Sequence, residues 1–190
     1  PEAFWQSIWA FDHFDSPTPP TVALANAHMP GAQWFPGTHV NYAQRVLRHV
    51  APAEAVGMPA IVSDNERGEA REMSWPELKR QVASLALTLR DLGVQRGDRV
   101  AVYLPNIPET VVAFLACASV GAIWSVCAPD MGTQAVTDRF KQIAPKLLLA
   151  TDGVWYAGKA VDRSDTVQAL MAALPSVDTL MVLNSPHARH

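Results

Sequence analysis

From residue 60 onward, short continuous apolar runs alternate with apolar positions spaced three and four apart, a pattern that predicts strands alternating with helices. Ala60-Ile61-Val62-Ser63 reads as a short strand. The polar turn Asp64-Asn65-Glu66-Arg67-Gly68 and the return Arg71-Glu72-Met73-Ser74 complete a hairpin. Ser74-Trp75-Pro76-Glu77 then has the form of a capping box, with the Ser74 hydroxyl accepting from the amide near Glu77 and the Glu77 carboxylate reaching back. Leu78, Val82, Leu85, Ala86, Leu89 and Leu92 share one face of the helix this opens, and Gly93 stops it. Arg99–Leu104 is mostly apolar, as a buried strand is, and the helix predicted over 107–120 is apolar nearly all round, so it belongs between a sheet and a second layer. Strand Ala122–Cys127, helix Thr133–Ile143, strand Lys146–Ala150, helix Thr166–Leu174 and strand Thr179–Leu183 follow in strict alternation.

Before residue 60 the pattern is different. Prolines at 17, 19, 20, 30, 36 and 52 interrupt any long element, so residues 1–59 read as an irregular Trp/Pro-rich wrapping segment ahead of an α/β unit over 60–190. Phe4, Trp5, Ile8 and Trp9 recur at helical spacing, which predicts an amphipathic helix over 3–12 whose aromatic face needs a cover.

Strands joined by helices require crossover connections. The expected architecture is therefore a doubly wound, mainly parallel sheet flanked by helices. In such sheets ligands bind beyond the carboxyl ends of the strands, which nominates the connections Pro105-Asn106, Ala128–Gly132 and Thr151–Lys159.

Composition narrows the partners. Fifteen Lys and Arg against eighteen Asp and Glu give a net charge of −3 with no basic run, so neither nucleic acid nor a membrane surface is an expected partner. The apolar stretch Val111–Val126 is broken by Ser119, Gly121 and Ser125 and falls short of the ~20 residues a bilayer span needs. The start carries no basic region leading into an apolar stretch, so no secretory signal is expected and the location is read as cytoplasmic. Cys117 and Cys127 lie in apolar segments and read as reduced core thiols, with no His or Lys beside Cys127 to favour a thiolate. His187 and His190 are two potential metal ligands without a third, which points to a solvated tail.

The common phosphate-binding loops and the nucleophile elbow are missing: there is no Gly-x-Gly-x-x-Gly, no Gly-x-x-x-x-Gly-Lys followed by Ser or Thr, and no Gly-x-Ser-x-Gly. Asp130, Asp138, Asp152, Asp162 and Asp165 have no spacing that separates them from loop and cap carboxylates, and no residue is assigned a catalytic role. Tyr156, Lys159 and Arg163 are the candidate binding residues, because they fall in or just after the 151–159 connection at the expected ligand edge, where a cation could meet a phosphate. Read by themselves, the residues leave open a stand-alone nucleotide- or carrier-binding module, or an interaction domain docking through the Trp-rich start and helix 107–120.

Several blocks resemble a known superfamily. Ser74–Leu78 through Gly97-Asp98-Arg99-Val100-Ala101-Val102-Tyr103-Leu104-Pro105-Asn106 is similar to the first core block of the acyl-CoA synthetases, luciferases and adenylation domains, and Ala118–Ser125 to their second. Trp34-Phe35-Pro36-Gly37 with Asn41-Tyr42-Ala43 resembles the opening segment of their acetate, propionate and acetoacetate branch. Ser125–Gly132, Asp138–Lys146 and Tyr156–Lys159 look most like the acetoacetate-activating members.

The resemblance implies a ligase that joins a carboxylate to ATP, releases pyrophosphate from the acyl-adenylate step, and passes the acyl group to coenzyme A, with Mg2+ accompanying ATP. It also implies that these 190 residues are an amino-terminal fragment, inactive alone, whose missing carboxyl-terminal part holds the phosphate loop, the adenine and ribose contacts and the adenylation lysine. No cofactor is then expected to bind tightly to the fragment, and surfaces left uncovered make a homo-oligomer plausible. In acetyl-CoA synthetases two arginines of the loop matching Tyr156–Lys159 contact a coenzyme A phosphate. Here the matching positions are Tyr156 and Lys159, so one cation remains unless Arg163 substitutes, while Asp130 on the neighbouring turn would repel a phosphate.

Overall fold

A computed structural model describes residues 1–188, and the chain divides into two units, Pro1–Val46 and Leu47–His190. In the first, α1 (Glu2–Asp12) forms where the aromatic spacing predicts it. Trp9 turns inward, stacking on Phe14 at 4.9 Å and meeting Phe35 at 5.2 Å, whereas Phe4 and Phe11 remain 60% and 82% exposed. Two short strands, β1 (Leu24–Asn26) and β2 (Gln33–Trp34), pair antiparallel, and α2 (Tyr42–Leu47) follows. The Arg45 guanidinium grips the Asp12 carboxylate and lies over the Phe14 ring, tying α2 to the end of α1.

The second unit begins with α3 (Val50–Ala55) and the expected hairpin, β3 (Ile61–Ser63) against β4 (Arg71–Met73). Next comes α4 (Trp75–Asp91), whose start is capped by Ser74 accepting from the Glu77 amide at 3.3 Å. The other half of the expected capping box is not made. The Glu77 carboxylate instead accepts from Arg80 at 2.7 Å and Gln81 at 2.6 Å, and those bonds hold its pKa below the usual value. Neighbours three and four residues on are within easier reach than the amide behind it. Gly93, at φ +76°, makes the left-handed exit.

The sheet is built from β5 (Arg99–Tyr103), β6 (Ile123–Cys127), β7 (Leu147–Thr151) and β10 (Thr179–Leu183), all parallel, in the spatial order β10-β7-β5-β6. The chain runs from β5 out to β6 through α5 (Pro108–Val120). It then crosses back through α6 (Thr133–Lys141) to β7, and reaches β10 through a hairpin, β8 (Gly153–Tyr156) and β9 (Lys159–Asp162), and α7 (Ser164–Ala173). This is the expected doubly wound sheet, and the winding reverses between β5 and β7.

Side chains alternate across β5 and so divide the core in two. Ala101 and Tyr103, with Leu148 and Ala150, face α6 and α7 and pack with Val136, Phe140, Leu170 and Leu174. Val100 and Val102 are equally buried and point to the opposite face, where α4 and α5 pack on each other. The all-round apolar α5 is thus sandwiched as its sequence requires, and Phe114 meets Trp124 of β6 edge to face at 5.7 Å. Cys117 and Cys127 are free and buried, and burial pushes the Cys117 thiol up to about 12. Cys127 does have a basic neighbour that its local sequence does not reveal, Arg139 on α6, yet burial outweighs it and the thiol pKa is still raised.

Several element ends shift by a residue or two from the sequence pattern, and two departures have a visible structural reason. Helix α6 stops at Lys141 rather than Ile143 because Arg99 donates to the Ile143 and Ala144 carbonyls, both at 2.7 Å, and Ala144 takes a left-handed φ of 43°. The connection 151–159, expected as a loop, is instead the start of the β8–β9 hairpin. Among the described residues no helix is long and apolar enough to cross a membrane.

The entry to β5 is held by Asp98, whose carboxylate accepts from the Gln95 amide at 2.8 Å and from Lys146 at 3.3 Å. The backbone bond first, then Lys146, holds its pKa below the ordinary 3.8. A group with a depressed folded pKa stabilises fully above its unfolded value and loses that contribution as the pH falls through the folded one. Asp98→Asn should therefore lower Tm by a few degrees at pH 7, and the two proteins' thermal melts should converge below pH 3.8.

Candidate functional site

The carboxyl ends of β5, β7 and β10 open onto a cleft of about 720 Å³ where the winding reverses. Pro105, Asn106 and Ile107 form one wall, Thr151 and Gly153 the floor, and residues 183–187 the other wall. Arg71 of β4 reaches across to Glu109 at the start of α5, 2.6 Å away, and closes one end. The Pro105-Asn106 connection therefore borders this cleft, as its place after β5 predicts.

The 128–132 connection is anchored from below. Tyr103 is fully buried and its hydroxyl donates to the Pro129 carbonyl at 3.1 Å, while the Met131 amide closes the turn onto Ala128. Burial raises the Tyr103 pKa, against the opposing pull of the Arg163 charge and of Thr166, so the hydroxyl stays protonated as a donor at neutral pH. Asp130 is exposed at the tip.

Tyr156 and Lys159 are brought together. They are cross-strand partners at the tip of the β8–β9 hairpin, joined by the two-residue turn Ala157-Gly158 with φ of 51° and 76°. Two successive left-handed residues match the twist of a hairpin, and glycine at the second serves that conformation. Both flanking side chains are exposed, and Lys159 has no ion-pair or hydrogen-bond partner among the described residues. It stands at one end of a groove of about 620 Å³ whose other end carries Asp162 and Asp165. An anion is therefore attracted to the Lys159 end and repelled from the other.

Arg163 is not at that tip. It lies four residues further along, about 13 Å at strand spacing, just before α7. Its amide donates to the Asp152 carbonyl at 2.7 Å, and its guanidinium is near enough to act on the Tyr103 hydroxyl. Its Nε is buried without a hydrogen-bond partner among the described residues. Of the histidine pair at the end, His187 meets Trp155 at 5.6 Å while His190 lies outside the described residues.

Three contributors were not found from sequence. Glu66 accepts from the Ala157 and Gly158 amides at 3.1 and 3.0 Å, and Arg67 sits over the Trp155 ring at 5.1 Å, so the β3–β4 turn braces the hairpin. Gly153 lets the backbone of His187 and Ala188 approach where a side chain would collide. Among the described residues no three His, Cys, Asp or Glu side chains come together to hold a metal. The arrangement is that of a binding surface: a cation on a braced hairpin beside an acidic groove.

Residues 47–189 match the family of AMP-binding enzymes. The chain is 39% identical over 172 residues to the acetoacetyl-coenzyme A synthetase of Rhizobium meliloti (strain 1021), covering 90% of this chain and 26% of that protein. It is 36% identical over 186 residues to the acetoacetyl-CoA synthetase of Rattus norvegicus, covering 95% and 27%. A solved structure of acetoacetyl-CoA synthetase from Streptomyces lividans superposes with a TM-score of 0.90 at 46% identity, over 95% of this chain and 28% of that one. The chain thus spans about a quarter of the length of the relatives it matches.

Proposed function

Because this chain belongs to the AMP-binding enzyme family, we propose that it is the amino-terminal part of an ATP-dependent, AMP-forming ligase that activates acetoacetate and transfers it to coenzyme A. The observation that carries this is the likeness, over 95% of the chain, to acetoacetyl-CoA synthetases in both sequence and three-dimensional structure. The whole ligase would use ATP, Mg2+ and coenzyme A in the cytoplasm. We place the first α/β subdomain of its large domain at residues 60–190, with the segment 1–59 preceding it in sequence; the compact unit itself starts earlier, at Leu47, because α3 packs on α4.

Within that ligase this chain supplies a binding surface, with Lys159 and Tyr156 receiving a coenzyme A phosphate at the hairpin tip. Arg163 is at most a longer-range electrostatic contributor, since its buried Nε and its action on Tyr103 point into the fold. Among the described residues no three His, Cys, Asp or Glu side chains come together, and no step involving Mg2+ is assigned to this chain. Exposed apolar side chains on both edge strands, Ile123 and Val126 on β6 and Leu180 and Val182 on β10, support a sheet that the rest of the protein or a second copy covers.

The test uses the full-length protein. Pyrophosphate release from ATP should be faster with acetoacetate than with acetate or propionate. Lys159→Ala should raise the coenzyme A KM about tenfold, the loss of one charge-assisted contact, and leave pyrophosphate release unchanged. The KM effect should vanish with pantetheine, which carries no phosphate. A preference for acetate would move the protein to the neighbouring branch, and an unchanged coenzyme A KM would remove Lys159 from the site.

A further inference from the structure

We propose that Glu66 is a positioning residue for the coenzyme A contact: its carboxylate locks the tip of the β8–β9 hairpin and so fixes how Lys159 is presented. This rests on the ligase reading above. The β3–β4 turn holds itself without Glu66. Asn65 Oδ1 accepts from the Arg67 and Glu69 amides at 2.9 and 3.1 Å, and the Gly68 amide donates to the Asn65 carbonyl at 2.9 Å. Glu66 is left pointing away from its own turn, toward a hairpin more than ninety residues further along the chain.

That hairpin needs what Glu66 offers. Ala157 has a left-handed φ of 51° without being glycine, a conformation that crowds the Cβ of an L residue. The turn also aims two adjacent amides outward, a concavity suited to an anion. Each carboxylate oxygen takes one of them, Oε1 from Ala157 and Oε2 from Gly158. The guanidinium of Arg67 over the Trp155 ring adds a second contact between the same two hairpins.

One consequence is specific to this arrangement. With the turn amides committed to Glu66, a phosphate at the tip is left with the Lys159 ammonium, whose place depends on a hairpin that Glu66 holds still. Glu66 therefore acts on coenzyme A binding through Lys159 rather than by touching the ligand.

The full-length protein carrying Glu66→Ala or Glu66→Gln separates the possibilities. Hydrogen exchange at the Ala157 and Gly158 amides should speed about tenfold in Glu66→Ala, as expected for loss of a charge-assisted pair at the surface. It should speed less in Glu66→Gln, whose single carbonyl oxygen serves only one amide. The coenzyme A KM should rise severalfold in both, with kcat and pyrophosphate release unchanged and no effect on the pantetheine KM. Unchanged exchange would overturn the lock. Faster exchange with an unchanged coenzyme A KM, where Lys159→Ala does raise it, would overturn positioning while leaving the ligase reading intact. A coenzyme A KM that falls would also overturn it, because Glu66 would then be competing with the phosphate for the amides.

Discussion

Phe140→Ala should cost the second unit about 3–5 kcal/mol, the range for emptying an aromatic site in a packed core. Phe140 is fully buried and joins Val136 of its own helix to Tyr103 and Leu148 of the sheet and to Leu170 and Leu174 around α7. Its ring is what α6 and α7 share, so its loss loosens the whole layer under the 128–132 connection. Met131 and Met171 lie at the margin of the cluster and can move into part of the void, which places the cost toward the lower end of the range. Native-state hydrogen exchange of the β5 and β7 amides reads the effect. Phe140→Leu, which keeps most of the volume, should cost less than about 1.5 kcal/mol. A loss below about 1 kcal/mol for the alanine variant would mean that the layer is held elsewhere.

The sheet and its helices were legible because each depends on local chemistry. Ser74 and Gly93 mark both ends of α4, and the absence of a polar face on α5 requires two buried sides. What escaped the sequence is whatever depends on distant residues. The α6 boundary is set by Arg99, more than forty residues earlier. The β8–β9 hairpin was hidden for a different reason. Its strands have four residues each, Val154-Trp155-Tyr156 shows no alternation of apolar and polar, and Ala157-Gly158 lacks the Asn-Gly or Asp-Gly signature of a tight hairpin turn.

The candidate site divides the same way. Lys159, Tyr156 and Arg163 were all nominated by their place in or just after the 151–159 connection; the first two turn out to be direct cross-strand partners, whereas Arg163 faces another way. Strand spacing explains this: four residues of β9 carry the chain about 13 Å from the tip. Glu66 had no local signal at all. A carboxylate in a polar turn is ordinarily solvated, and only the placement of the second hairpin gives it a partner.

Gly153→Ala is expected to have the other large effect, for reasons of space alone. Gly153 lies in β8 without a positive φ, so alanine's backbone preference is not at issue. A Cβ there would sit 2.5 Å from the Ala188 nitrogen and 2.7 Å from the His187 carbonyl carbon, both main-chain atoms with no flexible end to yield. The segment they belong to is fastened nearby by the Ser185 amide donating to Asp152 at 2.7 Å, so it cannot recede without breaking that bond. Such overpacking costs about 1–3 kcal/mol. Because residues 183–187 form one wall of the cleft at the end of the sheet, the displacement should appear as faster proteolysis and hydrogen exchange at 184–188. Gly158→Ala is the control: nothing lies within 4 Å of its missing Cβ, so it should strain the hairpin turn and leave 184–188 untouched. If both variants leave residues 184–188 equally protected, the close passage of this segment over β8 is not what forms the cleft wall.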